Sequence, residues 1–75
     1  MTVIFIGVGR ESGIRPGDIV GAITGEAKIT NRQIGGIRIA RNHTLAEVPE
    51  ALADRVITAL RRTNLRGQKV DVKRA

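Results

Sequence analysis

The chain contains two prolines, Pro16 and Pro49, and each stands where a segment of helical period begins, with strand-like segments before, between and after. Few folds accommodate that order. The fixed φ of a proline suits the first turn of a helix, where an N–H would find no partner. In "RPGDIVGAITGEAK" (15–28) Pro16 opens the helix, Asp18 lies near the positive end of its dipole, and Ile19, Ala22 and Ile23 share one face. Gly21 and Gly25 each cost this helix about 1 kcal/mol relative to Ala, so tertiary packing must hold it. In "PEALADRVITALRRT" (49–63) Pro49 and Glu50 mark the start. Leu52, Val56, Ala59 and Leu60 form the apolar stripe, and Arg61 and Arg62 suit the negative end of the dipole.

Four strand-like segments surround these helices. "TVIFIGV" (2–8) is β-branched and apolar and stops at "GRESG"; "IRIA" (37–40) and "TLAEV" (44–48) are joined by "RNH"; "KVDVK" (69–73) alternates after the turn "LRGQ". Residues 29–36 carry turn formers and one short helical turn. The order β, α, β, β, α, β predicts an α+β fold, the ferredoxin-like sandwich, in one domain spanning 1–75. Four strands form one antiparallel sheet with both helices on one face and the other face open. Period-two alternation turns Ile4, Ile6, Val8, Ile37, Ile39, Ala46, Val48, Val70 and Val72 to the helices. Val3, Phe5, Gly7, Arg38, His43, Leu45, Glu47, Lys69, Asp71 and Lys73 fall on the open side. With the first and third strands central, Phe5 lies beside His43 and Leu45, with Arg38 to one side and Lys69 and Lys73 to the other. The chain has one Phe and no Tyr or Trp, and that one aromatic is placed outside the core among cations.

Charge narrows the partner. The net charge is +6, distributed as −1 over residues 1–26, +4 over 27–46, −3 over 47–54 and +6 over 55–75. A balance this basic favours an anionic partner, and nucleic acid is the commonest. Without Cys, neither a disulfide nor a thiolate metal site is available, and the lone His43 does not make a metal site. No apolar run approaches the roughly 20 residues of a membrane span, and "MTVIFIGVGRESG" lacks the pattern of a signal peptide, so a cytoplasmic location without membrane contact is expected. No phosphate-binding loop, nucleophile elbow or acid pair points to catalysis.

"IFIGVGRESGIRPGDIVGAITGEAKITNRQIGGIRI" followed by "AEVPEALADRVITALRRTNLRGQKVDV" resembles the DbpA-type RNA-binding domain found at the C-terminus of bacterial DEAD-box RNA helicases. "GRESGIRPGDIVGAI", "IGGIRI" and "EVP" carry the likeness most specifically. The resemblance implies an atypical RNA-recognition fold that tethers an ATP-dependent helicase core to structured RNA, notably a hairpin of large-subunit ribosomal RNA during ribosome assembly. ATP and Mg would belong to that core, leaving this domain non-enzymatic, without a cofactor and monomeric when isolated. Ordinary RNA-recognition motifs stack bases on one aromatic of the first strand and two of the third. Here Phe5 keeps the first position, while His43 and Leu45 occupy the other two. Stacking is worth about 1–3 kcal/mol per base, so binding shifts towards charge and RNA shape. Lys28, Arg32, Arg38, Arg41, Lys69, Lys73 and Arg74 are expected on phosphates, with Phe5, Asn42 and His43 completing the RNA-binding set. Arg61 and Arg62 are expected to serve the helix end, and Arg10 and Arg15 a solvated loop.

Two other readings compete. "SGIRPGDIVGAITGE" also resembles a stretch of PDZ domains; residues 18–23 would then be a strand, and the domain would bind peptide C-termini by strand addition. Against it stand the short chain, the lack of a carboxylate-binding loop before the match, and the unexplained "IGGIRIARNHTLAEV". The alternative within the RNA-recognition fold is a protein-binding module that uses its helices.

Overall fold

A computed structural model describes all of residues 1–75. The elements are β1 (Thr2–Ile6), α1 (Pro16–Ala27), β2 (Ile37–Ile39), β3 (Thr44–Val48), α2 (Ala53–Arg61) and β4 (Val72–Arg74), with short 3-10 turns at Arg10–Ser12, Asn31–Gln33 and Glu50–Leu52. The sheet is antiparallel throughout, in the order β2-β3-β1-β4, so the α+β ferredoxin-like sandwich is the observed architecture. Residues 18–23 lie inside α1, which overturns the PDZ-like reading. Pro16 at the first helical position and the Asp18 carboxylate, which accepts a hydrogen bond from Arg15 N–H at 2.9 Å, fix a helical start there.

Apolar alternation fixes the register. Ile4 pairs with Ala46 and Ile6 with Thr44, while Phe5 pairs with Leu45 on one side and Lys73 on the other. The helix-side set meets Ile19 and Ile23 of α1 and Val56 and Leu60 of α2, and Ile4, Ile6, Ile19, Ile23, Val48 and Val56 are fully enclosed. Ile14, Ile29 and Leu65 close the core from the loops. Thr44 is the one buried polar residue, and its Oγ1 donates to Val8 O at 2.8 Å. That bond satisfies a carbonyl just beyond the end of β1.

Element ends differ from the sequence expectation for local reasons. Strand pairing of β4 covers Val72–Arg74 rather than 69–73, because the preceding turn holds Arg66 and Gly67 at positive φ and bridges Leu65 to Gln68. After Pro49 the chain makes a 3-10 turn, with Leu52 N–H bonded to Pro49 O at 2.9 Å, before α2 begins.

The alternation of strand direction gathers the connections at two ends. One end carries the β1–α1 loop, the β2–β3 hairpin and the α2–β4 loop; the other carries the α1–β2 and β3–α2 connections and both termini. At the first end the loops are in contact: Arg10 N–H reaches Ala40 O at 2.9 Å, Glu11 N–H reaches Arg41 O at 3.0 Å, and Gly7 N–H reaches Asp71 O at 2.8 Å. Gly9 permits this docking, since a Cβ there would lie 2.2 Å from Ala40 O. No helix is long and apolar enough to cross a membrane.

Candidate nucleic-acid interface

Strand register assembles one row across the open face of the sheet: Arg38 on β2, Leu45 on β3, Phe5 on β1 and Lys73 on β4. The outer two are exposed cations and the inner two half-buried apolar groups. His43, just before β3, stacks on Phe5 with ring centroids 5.4 Å apart and planes inclined by 16°. The Lys73 ammonium stands 5.3 Å from the centre of the same ring. A planar apolar floor between two cations matches a nucleotide, whose base is flat and whose phosphates are anionic.

The open face is not itself strongly basic. Asp71, opposite Gly7, and Glu47, opposite Val3, lie on the same side as Arg38 and Lys73 and offset their charge. The positive excess lies at the end of the molecule where the three loops meet. Arg10, Arg15, Arg41, Arg61, Arg62, Arg66 and Lys69 stand there against Glu11, Asp18 and Asp71, seven cations to three anions. The opposite end balances Lys28, Arg32, Arg55 and Arg74 against Glu26, Glu47, Glu50 and Asp54. Arg41 pairs with Glu11 at 3.7 Å and Arg66 with Asp18 at 3.4 Å, whereas Arg10, Arg15, Arg62 and Lys69 make no ion pair.

The structure therefore divides the residues expected to bind RNA. Phe5, Arg38, His43 and Lys73 share the open face, and Arg41, Asn42 and Lys69 border it on the basic end. Lys28 and Arg32 sit at the far end: Lys28 caps α1 in the left-handed conformation, with its carbonyl accepting from Arg55 Nη2 at 3.3 Å. Arg74 is a correction. The alternation that turns Lys73 outward turns Arg74 to the helix side, where it bonds Glu50 at 2.9 Å and Asp54 at 3.2 Å. Glu50, also accepting from the Thr2 hydroxyl, is held below the usual carboxylate range by that hydroxyl first and by Arg74 second. The Arg74 guanidinium is raised correspondingly by Glu50 and then Asp54. Arg61 is engaged as well, its Nε donating to Val72 O at 2.9 Å and covering the outer edge of β4. Arg10, Arg15 and Arg62, read from the sequence as loop or helix-end residues, belong to the basic end; no single stretch signals this, because the end exists only once three distant loops converge. No group of three or more His, Asp or Glu side chains is placed to hold a metal ion.

Comparison with known proteins identifies the family. The family model "DbpA RNA binding domain" matches residues 3–74. Among curated relatives, the ATP-dependent RNA helicase DeaD of Escherichia coli (strain K12) is 35% identical over 65 residues, covering 87% of this chain and 10% of that protein. The DeaD helicase of Mycobacterium tuberculosis is 33% identical over 73 residues, covering 97% of this chain and 13% of the relative. The DeaD helicase of Buchnera aphidicola subsp. Baizongia pistaciae is 34% identical over 68 residues, covering 91% and 11%. The chain thus spans about a tenth of the length of the helicases it matches. A match over nearly every residue, on a fold of the RNA-recognition type, means that the chain belongs to the DbpA RNA-binding domain family.

Proposed function

We propose that this chain is the structured-RNA anchor of a cytoplasmic ATP-dependent RNA helicase. On this reading the basic end grips phosphates, the open-face row meets an exposed base, and the RNA is a ribosomal hairpin of the kind engaged during ribosome biogenesis. ATP and Mg bind in the helicase core, and this domain contributes affinity and placement without chemistry of its own, acting as a monomer. One observation carries the reading: the charge excess is concentrated where the three loops meet, next to the Phe5–His43 stack. Folded RNA presents closely spaced phosphates to such a surface and a few unpaired bases to the adjoining face.

The test is a titration of isotope-labelled protein with ribosomal RNA hairpins, followed by amide resonances. Phe5, Arg38, Arg41 and His43 are expected to shift together, and binding to weaken steeply as salt rises. Shifts confined to α1 and α2, or indifference to RNA at low salt, would replace this reading with a protein-binding module.

A further inference from the structure

A carboxylate on a face that meets RNA opposes phosphate binding, yet Glu47 is held there by dedicated architecture. Its Oε1 accepts a hydrogen bond from Gly36 N–H at 2.9 Å. The backbones lock around it, with Gly35 N–H bonded to Glu47 O at 2.7 Å and Glu47 N–H to Gly36 O at 3.0 Å. A Cβ at Gly35 would lie 2.7 Å from Met1 Sδ and 2.9 Å from Glu47 Cβ, and one at Gly36 would lie 3.0 Å from Glu47 Oε1. The glycine pair of "IGGIRI" therefore lets this backbone pack closely against Glu47 and, at Gly35, against Met1.

Glu47 forms one wall of a pocket of about 310 Å³ on the open face, lined by Val3, Gly36, Ile37, Arg38, Leu45 and Glu47. Ligand pockets run from about 300 to 1,000 Å³, so this half-open depression has room for one small group such as a single base. Val3 and Leu45 supply apolar surface. Arg38 and Glu47 lie on the same face, offset by two residues in the β2–β3 register, and are not ion-paired with each other or with any other residue. Both keep unused hydrogen-bonding capacity directed at one site.

We propose that this pocket is a subsite selective for an unpaired guanine base in a loop or bulge of the bound RNA; it rests on the RNA-binding reading above. The Watson–Crick edge of guanine presents two neighbouring donors, N1–H and the 2-amino group, beside the acceptor O6. A carboxylate accepts from the two donors and a guanidinium donates to O6. Adenine and cytosine turn a ring-nitrogen acceptor towards the carboxylate, and uracil flanks its single donor with two carbonyls. Each therefore sets an acceptor against Glu47.

The test uses the 75-residue chain and RNA hairpins with one common stem. Their loops contain uridine only, or uridine with one central guanosine, inosine or adenosine. At low salt the guanosine loop should bind about tenfold more tightly than the all-uridine loop, within the range that one bidentate base contact supplies. Inosine, which lacks the 2-amino group, should fall between, and adenosine should match uridine. Glu47→Gln keeps an oxygen for Gly36 N–H, so its melting temperature should match the parent, while the ratio of guanosine-loop to uridine-loop affinity should fall to near unity. Equal binding of all loops by the parent, or an unchanged preference in Glu47→Gln, overturns the subsite while leaving RNA binding intact. Failure to bind any hairpin at low salt overturns the RNA reading itself. Guanosine monophosphate should not displace the guanosine hairpin at equal concentration; displacement would make the pocket a free-nucleotide site and overturn its assignment to RNA.

Discussion

Neutralising unpaired cations at the basic end is expected to flatten the salt dependence of RNA binding and leave stability unchanged. Arg10, Arg62 and Lys69 are exposed, and none of their side chains enters an ion pair. Arg10→Gln, Arg62→Gln and Lys69→Gln together thus remove charge and no internal contact. With Arg15, Arg38 and Lys73 they make up the cations of the basic end and the adjoining row that have neither an ion pair nor a side-chain hydrogen bond, Arg61 being bonded to Val72 O. Each neutralised phosphate contributes about 0.7–0.9 to the slope of log K against log salt, so engagement of all these cations gives a slope of about −4 to −5. Affinity then falls roughly 300- to 2,000-fold over a fourfold rise in salt. The triple variant keeps half of those contacts and should lose only roughly 20- to 40-fold over the same range. Fluorescence anisotropy of a labelled ribosomal RNA hairpin across a salt series reads both slopes, and a thermal melt should place the variant within about 0.5 kcal/mol of the parent. The matched control is Lys28→Gln with Arg32→Gln at the electrically balanced end, which should leave the slope alone. A triple variant with the parental slope, or a control that flattens it as much, would refute the assignment of the grip to the three-loop end.

Gly9→Ala should destabilise the fold by about 1–3 kcal/mol or more, because its Cβ would meet the backbone oxygens of Ala40 and Arg41 and the backbone nitrogen of His43 within 2.7 Å. Denaturant titration checks this, and a loss within error would mean that the hairpin shifts freely away from the loop. Thr44→Val keeps shape but strands Val8 O in the core, at a cost of about 1–3 kcal/mol by the same measurement. Stability should also carry an acid-sensitive contribution from Glu50. Its folded pKa lies below the ordinary value of 4.5, so its stabilisation is complete above that value and disappears as pH falls through the folded pKa. The melting-temperature difference between the parent and Glu50→Gln should therefore be present at neutral pH and vanish in acid; a pH-independent difference would assign the effect to packing.

The sheet was legible in the sequence because its information is local and periodic. Alternation in "TVIFI" and "TLAEV" sends Ile4, Ile6, Ala46 and Val48 to one side, and a one-residue slip would bury Phe5, Glu47 and Lys73 instead. The same rule puts Phe5, His43, Leu45 and Lys73 on one face from the sequence alone. Charge has no such period. Arg74 joins the expected phosphate contacts on charge alone, although its parity opposes that of Lys73, and its partners Glu50 and Asp54 meet it only when α2 packs beside β4. Lys28 and Arg32 belong to the most basic central stretch of the sequence, yet chain reversal carries them to the opposite end from Arg41. The basic end itself is assembled from residues about 30 positions apart in successive loops, a separation that local pattern reading does not bridge.

The arrangement divides binding between two kinds of contact. On the proposed reading the basic end supplies affinity that depends on salt and not on sequence, while the near-neutral open face is suited to discriminate. Phe5 shows how the two connect. His43 lies against its ring from the β3 side and the Lys73 ammonium from the β4 side, and on the proposed reading a base stacking on Phe5 takes the place of the Lys73 contact. An exposed cation–π contact is worth about 0.5–1 kcal/mol, and a stacked base about 1–3 kcal/mol. The exchange is therefore favourable when Lys73 gives way. The ammonium would then stand on the edge strand β4, free to meet a phosphate of the same RNA. On the proposed reading Lys73 covers the one Phe of the face in the free protein and turns to a phosphate in the complex, so that Phe5 holds one base without the two aromatics missing from β3.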